Sequence, residues 1–208
     1  MKFKNHPLLE RTASPLLIIL SGLSGAGKDA VLARIKESNY KFEHIITVTT
    51  REPRSGEANN VDYHFVTREE FRKLIARNEL LEWARVYENY YGVPRNPVRQ
   101  ALEKGQDALV KVDVQGAITI KKILPQAVFI FLTMPTIEEA VSRLQQRNTE
   151  TPEELSLRVK TAEEEIRQVA MFDYLVFNRQ GEIDRAVADI LAVIKAEKLR
   201  VHPRKIIF

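Results

Sequence analysis

Short apolar runs alternate with amphipathic stretches along this chain. Leu16–Ser21 is compact and apolar, with the length of a buried strand, and behind it Ala30–Glu37 carries Val31, Leu32 and Ile35 at helical spacing. His44–Thr50 is rich in β-branched residues and predicts one strand. Val61–Val66 alternates Val61, Tyr63 and Phe65, as a half-exposed strand does. Thr67, followed three residues later by Glu70, predicts a capping box that opens a helix with Phe71, Leu74 and Ile75 as its apolar stripe. Ala108–Val114 and Val128–Thr133 are again strand-like, and a helical pattern follows each. Thr149–Val169 is a long, charged helical segment with few apolar anchors, which reads as a flap over the rest.

Strands alternating with helices predict an α/β fold, with a largely parallel core sheet covered by helices on both faces. The stretch from about 47 to 91 breaks that rhythm with short strands, charges and aromatics, and reads as an insertion. Composition adds boundaries to this picture. The chain has 208 residues, 44% hydrophobic and 29% charged, enough to bury a sizeable core without staples. It has no cysteine, which excludes disulfides and thiolate metal sites; a reducing, cytoplasmic location is the expectation. No apolar run approaches the ~18–20 residues of a membrane span, so no membrane partner is expected. The net charge of +4 fits nucleic acid or phosphate substrates equally, because both need clustered Arg and Lys. No heptad pattern or apolar patch specifies an oligomeric state.

Candidate chemistry starts at Gly22-Leu23-Ser24-Gly25-Ala26-Gly27-Lys28-Asp29. The run matches G-x-x-x-x-G-K, follows a predicted strand and opens a predicted helix. Its glycines let backbone N–H groups surround a phosphate, and the helix N-terminus adds a positive dipole end. Lys28 can reach the β- and γ-phosphate oxygens of a nucleoside triphosphate. The bland alternative is a glycine-rich turn that binds nothing. Asp29 stands where the motif has a Ser or Thr hydroxyl for Mg²⁺. A carboxylate can also hold Mg²⁺ directly or through water, or it can simply cap the helix.

Further along, Arg51 and Arg54 lie three residues apart in Thr47-Val48-Thr49-Thr50-Arg51-Glu52-Pro53-Arg54-Ser55-Gly56-Glu57. Two guanidinium forks so spaced can clamp a phosphate dianion. Val61-Asp62-Tyr63-His64-Phe65, Leu81-Glu82-Trp83-Ala84 and Asn89-Tyr90-Tyr91-Gly92 follow. A carboxylate among tyrosines suits a purine bearing an N1–H and a 2-amino group, because it accepts both hydrogens at once. Taken singly, Trp83 and Tyr90 are more often core, and Glu82 more often solvated. The ordered set carries the reading.

That set, with Val112–Gly116 as V-D-x-Q-G and Arg147–Glu150 as R-N-T-E, resembles the guanylate kinase family over residues 16–200. Asp29 is similar to the plastid and mitochondrial branch of that family. The resemblance implies a P-loop nucleoside monophosphate kinase fold in one domain, 1–208. Its core would be about 15–46, 92–135 and 170–200, with a GMP-binding insertion at 47–91, a lid at 136–169, and tails at 1–14 and 201–208. It implies ATP and GMP as small-molecule substrates, Mg²⁺ with the ATP, and no nucleic-acid partner. Arg51, Arg54, Tyr63 and Tyr91 would hold the GMP phosphate, and Thr47 and Glu82 would read guanine with Asp113 nearby. On the donor side, Gly22 to Asp29 would cradle ATP, Lys28 would bridge its phosphates, and Arg143, Arg147 and Arg158 would come from the lid. Asn178 falls where the family contacts adenine. Lys28, Arg51, Arg147 and Arg158 are the expected catalytic residues, with Asp29 towards the metal.

Two positions depart from the family. Val93 replaces a Ser or Thr that can help recognise the guanine oxygen, and Lys111 replaces a frequent Asp. An added carboxylate at 29 and an added amine at 111 suggest mutual neutralisation. Two other readings stay open. One is a non-catalytic, guanylate-kinase-like scaffold module, which typically lacks an intact P-loop. The other is a nucleic-acid-binding P-loop protein, which needs a basic run with interleaved aromatics outside the site.

Overall fold

A computed structural model describes residues 13–86, 88–136, 139, 140, 142 and 152–208, with only the backbone given at 152–159. The chain builds two sheets. In the first, β1 (Leu17–Gly22), β2 (Glu43–Ile45), β7 (Ala108–Lys111), β8 (Val128–Thr133) and β9 (Tyr174–Phe177) are all parallel, in the order β2-β7-β1-β8-β9. The second runs β4 (His64–Phe65), β3 (Val48–Thr49), β6 (Asn89–Pro94), β5 (Leu80–Val86), with β3 parallel to β4 and antiparallel to β6.

The apolar runs belong to strands covered on both faces. On one face, Ile18 and Leu20 pack with Val31, Leu32 and Ile35 of α1 (Lys28–Lys36), Ala162 of α5 (Pro152–Arg167) and Val187, Ile190 and Ile194 of α6 (Ile183–Lys198). On the other, Leu17 and Ile19 pack with Val98 and Ala101 of α3 (Arg95–Glu103) and Ala117 and Ile120 of α4 (Val114–Ile123). Each fully buried Leu, Ile or Val stabilises the fold by roughly 1.5–3 kcal/mol. The parallel core with helices on both faces is therefore the architecture the pattern predicts.

The second sheet carries its own small core of Val48, Phe71 and Leu80, closed by α2 (Arg68–Ala76). The capping box at its start is present. The Glu70 amide donates to Thr67 Oγ1 at 3.1 Å, and Glu70 Oε2 accepts from the Thr67 amide at 2.8 Å.

Three expectations are corrected. His44–Thr50 is two strands, because β2 pairs with β7 in the first sheet while β3 pairs with β4 and β6 in the second. Val61–Val66 shrinks to His64–Phe65, since Asp62 Oδ2 accepts from the Ala58 amide at 2.8 Å and Asn60 takes a left-handed φ of 64°, making a turn. The strand from Ala108 stops at Lys111, and Asp113 caps α4 by accepting from the Gly116 amide at 2.7 Å.

Candidate active site

At the end of β1 the chain turns sharply. A Cβ on Gly22 would stand 1.9 Å from the Leu132 carbonyl oxygen, at a φ of +135°, so only glycine fits. The Leu23 amide donates to that same carbonyl at 3.1 Å, which fixes the loop against β8. Lys28 opens α1, and its ammonium donates to the carbonyls of Gly22 at 2.7 Å and Leu23 at 3.0 Å. Burial lowers its pKa, while Glu165, Asp29 and Asp113 oppose that shift. Two groups from distant segments brace the loop. Asn178, itself buried, donates from Nδ2 to the Ala26 carbonyl at 2.8 Å. Glu165 of α5 accepts from the Ser24 amide at 2.9 Å, and burial raises its pKa.

Asp29 does not occupy the cap position of α1, which belongs to Gly27. It stands in the first turn, and its carboxylate meets the Lys111 ammonium. The Lys111 side chain is 8% exposed and that of Asp29 75%. Burial works against the lysine charge, but Tyr63 and Asp29 outweigh it and its pKa rises. Two unit charges 4 Å apart interact by ~4 kcal/mol at an effective dielectric near 20, and by less here because solvent screens the exposed Asp29 carboxylate. The neutralisation suggested by the two substituted positions is a direct contact.

Where the two sheets meet, Lys28, Thr47, Tyr63, Glu82, Tyr91 and Lys111 line a cavity of about 170 Å³ with Asp113. Thr47 lies at the joint between β2 and β3 and is buried. Glu82 on β5 is 5% exposed, and its Oε2 has no hydrogen-bond partner among the described residues. Burial first, then the Asp113 carboxyl, push its pKa up to about 8. Gly116 makes room for it: a Cβ there would come within 3.0 Å of Glu82 Oε1. Arg51 is aimed by Glu57, which accepts from its Nη1 at 2.9 Å and its Nη2 at 2.8 Å. Its guanidinium also lies 5.4 Å from the Tyr63 ring centroid. A larger cavity, about 730 Å³, lies between α3 and the C-terminal residues. Size does not choose between them. The convergence of two ammonium groups, two carboxyls and the phosphate-type loop does.

The sequence pattern that describes guanylate kinases matches residues 14–197 of the chain. This chain belongs to the guanylate kinase family. It is 43% identical over 205 residues to guanylate kinase 2, chloroplastic/mitochondrial, of Oryza sativa subsp. japonica, covering 98% of this chain and 72% of that one. It is 45% identical over 193 residues to the guanylate kinase of Bacillus subtilis (strain 168), covering 91% of this chain and 94% of that protein. The crystal structure of guanylate kinase from Anaplasma phagocytophilum superposes with a TM-score of 0.73 at 29% identity, over 91% of this chain and 89% of that one.

Within this guanylate kinase architecture, Thr47, Tyr63, Glu82, Tyr91 and Asp113 share one cavity with Lys28. Arg54 is exposed, and its amide donates to Glu57 Oε2 at 2.7 Å. Asn178 faces the loop carbonyl of Ala26. Val93 is fully buried among core residues. Arg143 and Arg147 lie outside the described residues, as does the side chain of Arg158. Three contributors went unassigned in the sequence. Glu57 is the last residue of the arginine motif, and its spacing from Arg51 was the signal that could have found it. Glu165 is one of three consecutive glutamates with nothing local to single it out, and the neighbour that a Cβ on Gly116 would meet first, Glu82, is distant in sequence.

Proposed function

We infer that this chain transfers the γ-phosphoryl group of ATP to GMP, giving ADP and GDP. The observation that carries the acceptor reading is Glu82. A buried carboxyl with an unpartnered oxygen fits a ligand that brings two adjacent N–H donors, and guanine does where adenine does not. Thr47 and Asp113 would complete guanine recognition, and Arg51, Arg54, Tyr63 and Tyr91 would hold the GMP phosphate. The loop from Gly22 to Asp29, with Lys28, would take the ATP phosphates, and Asn178 would stand towards adenine. Arg143, Arg147 and Arg158 would close over the donor. On this reading the core is 15–46, 92–135 and 170–200, the GMP-binding insertion 47–91 and the lid 136–169.

An acceptor phosphate oxygen attacks the γ-phosphorus, and the bond to the β–γ bridging oxygen breaks. No general base is required, because the acceptor is already an oxyanion. Positioning and charge neutralisation therefore dominate. Lys28 supplies a fixed positive charge at the mouth of the loop, where charge on the transferred group develops. The exposed Asp29 carboxylate is a hard oxygen donor beside that loop, which fits Mg²⁺ completed by water and substrate phosphates. When bound, the ion would neutralise phosphate charge.

The test is ADP formation from ATP and Mg²⁺ with GMP, dGMP, AMP, dTMP or UMP as acceptor. Turnover with guanine nucleotides at least a hundredfold above the others is expected. Equal turnover with AMP, or ATP hydrolysis indifferent to GMP, would sink the reading.

A further inference from the structure

Lys111 is a chemically expensive residue at a strategic place. It ends β7 in register with Leu20 of β1, so the core sheet itself positions its backbone. Its side chain is nearly buried, yet it lines the same cavity as Lys28 and Glu82. Its ammonium lies 4.5 Å from the Tyr63 ring centroid and contacts the Asp29 carboxylate. A structural ion pair needs no ligand cavity around its cation. Two neighbouring cations are oriented by the protein, as Lys111 is by Asp29. Arg51 is held on two nitrogens by Glu57, and Lys28 is bound to two loop carbonyls. An incoming phosphate dianion, between a donor loop and a guanine pocket, meets Lys111 in the cavity lining.

We propose that Lys111 binds the acceptor phosphate, and that Asp29 holds its ammonium in place until the phosphate displaces that pair. The inference rests on GMP being the acceptor. It assigns Lys111 a contact with the ligand and makes Asp29 a competitor for the same ammonium. The two residues are therefore coupled with opposite signs toward GMP: removing the lysine weakens binding, and neutralising the aspartate does not.

Equilibrium titration of GMP, guanosine and AMP, with neither ATP nor Mg²⁺ present, tests this on the full chain. For Lys111→Met the GMP dissociation constant should rise at least tenfold, about 1.4 kcal/mol, with guanosine affinity within twofold of wild type. Lys111→Arg should recover most of the loss by keeping the charge. Asp29→Asn should bind GMP at least as tightly as wild type. Unchanged GMP affinity in Lys111→Met would overturn the proposal. So would equal weakening of GMP and guanosine, which marks a deformed pocket. A parallel loss in Asp29→Asn would overturn it too, since Lys111 would then act only through the pair. A wild-type protein binding AMP as well as GMP would instead overturn the acceptor reading, and this inference with it.

Discussion

At Glu82, burial and the neighbouring Asp113 hold the ionisation near 8, against an ordinary 4.5. Between those values the folded chain keeps a proton that the unfolded chain has lost. Stability contributed by the neutral form is complete below about 4.5 and declines as pH rises through about 8. Glu82→Gln keeps the shape and never ionises. It should be more stable than wild type by about 1–3 kcal/mol at pH 8.5, with the gap closing near pH 5, as measured by urea unfolding. GMP binding runs the other way, because only the carboxylate accepts both guanine hydrogens. Wild-type affinity should rise with pH by up to about tenfold per unit from pH 6.5 towards 8, then level off. A flat profile in calorimetry would show that Glu82 is already ionised. The same residue shows what sequence could and could not say. Its type and its place among tyrosines pointed to guanine, but its burial depends on Gly116, thirty-four positions away, lacking a side chain.

Among the elements, those decided by local chemistry were the legible ones. β8 has the bounds that its apolar run predicts, and α2 begins at its capping box. Thr67→Ala removes the oxygen that accepts the Glu70 amide and should cost about 1 kcal/mol in thermal or urea unfolding. A change below 0.3 kcal/mol would mean that tertiary packing alone sets the start of this helix. The elements that sequence misread are those whose partners change. From 44 to 50 the β-propensity is continuous, but the chain passes from one sheet to the other, and Thr47 sits in the joint. Propensity registers extended backbone and is blind to which strand pairs with it. α5 is a similar case. Glu163 and Glu164 face solvent while Glu165 reaches the Ser24 amide, a difference made by a loop some 140 residues away.

On the scale of the whole molecule, the C-terminal residues past α6 are tied into the fold, although their sequence reads as a plain tail. Arg204 donates through Nε and Nη2 to both oxygens of Glu197 at 2.9 Å and through Nη1 to the Ala127 carbonyl at 2.9 Å. Glu197 is 1% exposed, and Arg204 holds its pKa below the ordinary carboxylate range. The pair therefore stabilises the fold above pH 4.5 and loses that contribution as pH falls through the depressed value. Arg204→Ala should destabilise the chain by about 3 kcal/mol at pH 7, shrinking in acid, because a nearly buried carboxylate loses its main partner. Loss of under 0.5 kcal/mol in chemical denaturation would show that the other donors to Glu197, the Tyr174 hydroxyl at 2.5 Å and Arg200 Nη1 at 3.5 Å, suffice.

The strand order has a consequence in time. Among the described strands β1 comes first, yet both of its neighbours, β7 and β8, lie beyond residue 107. During synthesis at ~5–20 residues per second, the roughly 85 residues between β1 and β7 take about 4–17 s to appear. For that interval a strand that is buried along its whole length in the finished fold, the one that ends in the phosphate loop, lacks both sheet neighbours. Its exposure is concentration-dependent trouble of the kind that chaperones relieve, and it follows from the same central position that makes the loop rigid in the finished fold.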